Sequence, residues 1–170
     1  MAESYLILGG ARSGKSRRAL ALAESIGSER AYIATAEALD DEMKARIAQH
    51  QRERGADWSV YETPLDLVGI LQNLPSHTDV CLVDCLTLWL SNLMHHERDI
   101  GAESERLCRA VQGLPIPIVL VSNEVGLGLV PETPLGREFR DAQGRLNQTL
   151  AATCDRVEFV AAGLPISLKG

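Results

Sequence analysis

The sequence predicts an α/β fold in a single domain, with a mostly parallel sheet covered by helices on both faces. Three observations predict it. Short apolar runs alternate with helical apolar stripes along the chain, and parallel strands need crossovers of this kind. A glycine-rich phosphate loop, Gly9 to Ser16, stands at the first strand-to-helix junction. The 170 residues match one domain of ordinary size, with no internal repeat, low-complexity tract or interdomain linker.

The elements follow in order. Tyr5 to Leu8 is an apolar run ending in glycines, the pattern of a strand buried on both faces. From Lys15, the residues Ala19, Leu20, Leu22, Ala23 and Ile26 give a helical stripe closed by Gly27. Ala31 to Ala34 reads as a second strand, and Asp40 to Arg54 as a charged helix with little apolar content beyond Met43 and Ile47. Trp58 to Glu62 is a strand, Leu65 to Leu74 a helix and Val80 to Val83 a third apolar strand. Thr87 to Glu97 and Glu103 to Gln112 read as helices. Ile116 to Val121 is a β-branched strand with Pro117 near its start. Leu135, Phe139, Ala142, Leu146 and Leu150 recur at three and four residues and mark a long amphipathic helix. Val157 to Val160 and Ile166 to Leu168 close the chain as strands.

Composition narrows the function. Seventeen Lys and Arg against 23 Asp and Glu leave a formal charge of −6, which disfavours a nucleic-acid partner, because such binding replaces counterions with basic side chains. At 45% hydrophobic and 24% charged the composition is globular. The longest uncharged stretch, Ala110 to Asn123, holds Pro115 and Pro117 and is too short for a membrane span. Glu3 precedes only a short apolar run, without the basic start or apolar core of a secretory signal, so the expected location is cytoplasmic. Four cysteines, Cys81 and Cys85 inside an apolar run, read as buried thiols of a reducing compartment, with no metal-ligand spacing.

Gly9-Gly10-Ala11-Arg12-Ser13-Gly14-Lys15-Ser16 matches G-x-x-x-x-G-K-[ST] between a strand and a helix. Glycines let the backbone wrap an anion with its N–H groups inward, the helix N-terminus adds positive potential, Lys15 reaches the outer phosphates, and Ser16 can ligate Mg²⁺. Asp84 ends an apolar strand, where a carboxylate holds the magnesium ion; an Asp there is also a common helix cap. Asn123-Glu124 ends the next strand, placing Glu124 near the outer phosphate as a base or as an indirect magnesium contact through water, or else as a solvated loop residue.

Tyr32-Ile33-Ala34-Thr35-Ala36, Leu39-Asp40-Asp41-Glu42-Met43, Arg46-Ile47 and His50 follow the phosphate loop. Further on stand Asn123 to Glu132, Phe139-Arg140-Asp141, Gly144 to Gln148 and Gly163-Leu164-Pro165. With these segments the whole chain resembles the adenosylcobinamide kinase / adenosylcobinamide-phosphate guanylyltransferase family, although Asp84 stands where some relatives have Glu and Arg54-Gly55 where relatives often have Arg-Pro. The resemblance implies a recombinase-like phosphate-loop fold, a homotrimer with sites near subunit boundaries, and two reactions of cobalamin biosynthesis. Adenosylcobinamide is phosphorylated from a nucleoside triphosphate, ATP or GTP, and adenosylcobinamide phosphate then receives GMP from GTP. The second reaction passes through a guanylylated histidine, and the histidine in that segment is His50.

Local chemistry is compatible. A neutral imidazole has a lone pair for the α-phosphorus, and the P–N adduct is reactive. On the Asp40 to Arg54 helix, Met43, Ile47 and His50 fall at i, i+4 and i+7, and Arg46 lies four residues before His50, where it can steady phosphate oxygens. Asp40, Asp41 and Glu42 read as first-turn residues stabilising the helix, and His95 and His96 as residues near a helix C-terminus. Arg137, Arg140 and Arg145 read as a solvated face, and Trp58 and Trp89 as core. The candidate nucleotide set is Gly9, Gly10, Ala11, Arg12, Ser13, Gly14, Lys15, Ser16, Thr35, Arg46, Glu62 and Asp84. Lys15 and His50 are the catalytic candidates, and Ser16 and Asp84 the Mg²⁺ ligands. The alternative is a nucleotide-dependent switch or recombinase-like binding module, which lacks an Asn-Lys-x-Asp guanine reader here. A plain small-molecule kinase with His50 idle is the third reading.

Overall fold

A computed structural model of the chain describes residues 2–37, 40–54 and 57–170; for Arg46, His50, Glu53 and Arg54 it describes the backbone alone. Leu39 and Gly55, two positions of the resemblance, lie outside the described residues.

The chain runs β1 (Ser4–Gly9), α1 (Lys15–Ile26), β2 (Arg30–Ala34), α2 (Asp41–Arg54), β3 (Trp58–Glu62), α3 (Leu67–Gln72), β4 (Val80–Asp84), α4 (Leu86–His95), α5 (Ile100–Gly113), β5 (Ile118–Asn123), α6 (Pro134–Thr153), β6 (Arg156–Ala161) and β7 (Leu164–Lys169). These strands form one sheet of order β3-β2-β4-β5-β1-β6-β7. Every neighbouring pair is parallel except β6 and β7, which form an antiparallel hairpin. The expected mostly parallel sheet is therefore present, and its carboxyl edge gathers Gly9, Ala34, Glu62, Asp84 and Asn123.

Alternation along the inner strands buries both faces. On one face Tyr5, Ile7, Leu82, Val119 and Val121 pack against Ala19 and Ala23 of α1, whose small side chains let the helix approach closely. On the other, Leu6, Leu8, Val83 and Leu120 meet Leu71 of α3, Trp89 and Leu90 of α4, Leu107 of α5, and Leu146 and Leu150 of α6. Trp58 and Trp89 are both buried. None of the described side chains of α2 is buried; Met43 and Ile47 are the half-buried large ones.

Some boundaries differ from expectation. α3 covers Leu67–Gln72 because Asp66 caps its start, accepting from the Gly69 N–H, and Asn73 ends it. The strand expected from Ile116 begins at Ile118, after Pro117, which has no N–H to give to a ladder. Leu135 is 66% exposed and outside the packed stripe of α6; it sits in the first turn, and the buried residues of the helix begin at Ala142. Cys81, Cys85 and Cys154 are buried, and Cys108 is half-buried. Among the described residues no helix is long and apolar enough to cross a membrane.

Candidate active site

The phosphate loop is a tight turn held from inside and behind. Gly14 takes a positive φ of 94° at the N-cap of α1, and Arg12 is also left-handed at 54°. The Ser13 N–H donates to Gly10 O, and Gly163 of the β6–β7 turn donates its N–H to Ser13 O at 2.7 Å. A Cβ on Gly9 would lie 2.4 Å from Ser13 Oγ and 2.7 Å from Val160 O. Only glycine lets the strand end pass that close to the loop. Gly163, which the resemblance includes without a role, supports the loop through its backbone. Ser13 Oγ is buried without a partner among the described residues.

Lys15 folds back, donating from Nζ to Gly10 O at 2.9 Å. Burial pushes its pKa below the ordinary 10.5, while Cys85 and the Asp84 carboxylate pull it back up. The ammonium thus lies within the field of the β4 end. Arg18, one turn on, makes a two-pronged bond to Glu158, 2.7 Å on each arm, fixing α1 to β6. Asp84 is half-exposed and accepts from the buried Tyr32 hydroxyl at 3.0 Å. It does not cap α4, whose N-cap is Cys85. Ser16 and Asp84 present hard oxygen donors, and the Ser16 hydroxyl makes no hydrogen bond among the described residues. Such donors suit Mg²⁺, which takes one or two protein oxygens besides water and phosphate oxygens.

Thr35 is fully buried. Its hydroxyl donates to Cys85 O at 2.6 Å and accepts from the Cys85 N–H at 3.0 Å, so the side chain braces the backbone after Asp84. Asn92 of α4 adds a clamp, donating to Thr35 O at 2.8 Å and Pro64 O at 3.0 Å. Thr87 accepts the Asn123 N–H at 2.8 Å. The resemblance includes Tyr32 and Asn123 without a role, and the sequence gives no role to Thr87 or Asn92. Their contacts join residues far apart in the chain, and local patterning has no signal for such contacts.

Not every candidate converges. With strands about 4.8 Å apart, Asp84 lies roughly 10 Å across the sheet from the phosphate-loop strand, and Glu62, exposed on the edge strand, roughly 19 Å. Arg46 and His50 belong to α2, His50 one turn after Ile47, with their side chains outside the described residues. Glu124 turns back on its own loop, accepting from the N–H groups of Gly126 at 2.7 Å and Leu127 at 3.1 Å. Asp40 caps α2 through the Met43 N–H at 2.7 Å. Arg137 donates to Pro131 O and Glu132 O. His95 and His96 make an edge-to-face contact at 5.4 Å between centroids, and His96 lies 3.3 Å from Glu37. Among the described residues no cluster of three or more His, Cys, Asp or Glu is set to hold a metal.

Comparison with known proteins gives the family and the fold. A family model described as cobinamide kinase / cobinamide phosphate guanyltransferase matches residues 5–168. The bifunctional adenosylcobalamin biosynthesis protein CobP of Pseudomonas aeruginosa is 49% identical, over 97% of this chain and 96% of that protein. The bifunctional adenosylcobalamin biosynthesis protein CobU of Escherichia coli is 40% identical, over 96% of this chain and 98% of that protein. Among solved structures, a RadB recombinase shares the fold with a TM-score of 0.54 at 17% identity, over 92% of this chain and 73% of that one.

Proposed function

The chain belongs to the cobinamide kinase / cobinamide phosphate guanyltransferase family, and from that premise we propose that it carries out both transfers on adenosylcobinamide, with residues assigned as follows. The observation that carries the reading is the phosphate loop at the β1 end with the Lys15 ammonium held in the field of Asp84.

In the kinase step the loop N–H groups and the α1 N-terminus bind the triphosphate of ATP or GTP, and Lys15 leaves Gly10 O for the outer phosphates. A half-buried ammonium acts strongly there, because little water screens it. Ser16 and Asp84 would hold Mg²⁺, which neutralises phosphate charge when bound. Tyr32 fixes the Asp84 carboxylate, and Thr35 and Asn92 fix the backbone beside it. The substrate hydroxyl forms its bond to the γ-phosphorus as the β,γ-bridging P–O bond breaks. A nucleoside diphosphate and one proton leave.

In the second step the His50 imidazole nitrogen attacks the α-phosphorus of GTP and pyrophosphate departs. The phosphate ester of the substrate then displaces histidine to give adenosylcobinamide-GDP. Arg46, four residues earlier, steadies the phosphate oxygens. Position 50 on α2, a helix with little of its own to bury, supports this role, because such a helix is free to dock against substrate or a neighbouring subunit. Glu62 serves the guanosine end, in keeping with its distance from the phosphate loop.

We further assign a homotrimer working in the cytoplasm. Leu164, Ile166 and Leu168 on the edge strand β7 are 69%, 53% and 60% exposed, and exposed apolar rows of this kind mark protein contacts. Four free cysteines fit a reducing compartment.

The test is a product assay with adenosylcobinamide and labelled GTP. It should yield both the phosphorylated and the GDP-linked corrinoid, and an acid-labile, base-stable GMP on the protein. His50→Ala should keep the kinase product and lose the adduct; an adduct that survives the substitution removes His50 as nucleophile.

A further inference from the structure

β5 lies between β1 and β4, and so between the phosphate loop and Asp84. Its last residue, Asn123, stands opposite Gly9. Val119 and Val121 face α1, and Ser122 faces α6, where its Oγ donates to Asn147 Oδ1 at 2.7 Å. By alternation Asn123 continues the Val119–Val121 face, the side from which α1 and the phosphate loop rise. Three bonds fix its backbone. Its N–H donates to Thr87 Oγ1, its C=O accepts from Asn147 Nδ2 at 3.1 Å, and the next N–H, of Glu124, donates to Gly9 O at 2.9 Å.

The side chain is not engaged in the same way. Oδ1 is buried and accepts nothing among the described residues, while Nδ2 makes no bond there and is not buried. Turning the amide over only exchanges which polar atom is enclosed. A rigid backbone holding a carboxamide whose open Nδ2 has no acceptor among the described residues presents a free donor at this point, which is what a contact completed by substrate requires. The neighbouring Glu124 is ruled out for the role, its carboxylate being bound to the Gly126 and Leu127 N–H groups.

We propose that Asn123 is a catalytic residue of the kinase step, its Nδ2 donating a hydrogen bond to an oxygen of the transferring γ-phosphoryl group. The assignment rests on the kinase reading above. As the substrate oxygen bonds to phosphorus and the β,γ-bridging bond breaks, the proton leaving the hydroxyl goes to water. Asn123 and Lys15 share the charge on the phosphoryl oxygens from neighbouring strand ends.

The experiment compares wild type, Asn123→Ala and Asn123→Asp in single-turnover transfer from ATP to adenosylcobinamide, with titrations of triphosphate and diphosphate and a thermal midpoint for each. Asn123→Ala should slow transfer about tenfold or more, leave diphosphate affinity within about twofold, and keep or raise the midpoint, since an unpaired buried atom is removed. Asn123→Asp keeps the shape and sets a carboxylate against phosphate; it should weaken triphosphate more than diphosphate, and it reads the contact even if the alanine variant fails to fold. Transfer at the wild-type rate in Asn123→Ala overturns the assignment. So does an equal loss of triphosphate and diphosphate affinity with a lowered midpoint, the mark of a purely structural role. Absence of transfer in wild type overturns the kinase reading instead.

Discussion

Lys15 shows how one residue's environment sets a measurable pH dependence. Burial lowers its pKa from 10.5 in the free protein, and bound phosphate raises it again by supplying a counter-charge. Nucleotide binding should therefore take up a proton in the alkaline range. Affinity should be full below the free-protein value and fall as pH rises through it, starting below 10.5. Calorimetry in buffers of different ionisation enthalpy should read that uptake, and Lys15→Ala should abolish it. The same substitution should cut phosphoryl transfer by on the order of 10²–10³-fold with the fold retained; turnover that survives contradicts the assignment. Tyr32 acts at one remove. Tyr32→Phe deletes the 3.0 Å bond to Asp84, so the half-saturating Mg²⁺ concentration should rise severalfold while nucleotide affinity without metal is unchanged. Cys81, Cys85 and Cys154 have thiol pKa values pushed up to about 12, by burial above all. Native protein should resist alkylation at all three, because the thiolate is the reactive form.

Among the elements, α2 and α6 stand at opposite ends of a scale. α6 buries Ala142, Leu146 and Leu150 against the sheet, so Leu146→Ala should cost about 2–5 kcal/mol in a denaturant titration. α2 has no buried side chain among those described, and its amides should exchange early and gain protection when guanosine nucleotide binds. The hairpin of β6 and β7 does two things at once. Its turn gives the Gly163 N–H to the phosphate loop, and its outer strand displays Leu164 and Ile166. Ile166→Glu should therefore lower the assembled mass in light scattering. Kinase activity that fell with it would tie the loop's shape to assembly.

The start of β1 is joined to the turn that leads into β6. Asp155 accepts the Ser4 N–H at 2.8 Å and its hydroxyl at 2.7 Å, bonds that hold the carboxyl below its ordinary 3.8. A depressed carboxylate adds stability above its unfolded value and loses it as pH falls through the folded one. Asp155→Asn should hence lower the thermal midpoint at neutral pH and match wild type once the pH is below that range. Much of this architecture was legible in the chain, because apolar periodicity is local: β1, β2, β3 and β4, the long stripe of α6 and the phosphate loop all follow from neighbours a few residues apart. The same locality misled at Leu135, which has the right spacing and lies exposed in the first turn of α6. It also drew attention to Glu124, whose place after a strand is visible but whose inward turn is not. What only the tertiary structure decided is which strand ends lie side by side. Inserting β5 between β1 and β4 puts Asn123 between the phosphate loop and Asp84, and that order depends on long-range crossovers that no short stretch of sequence encodes.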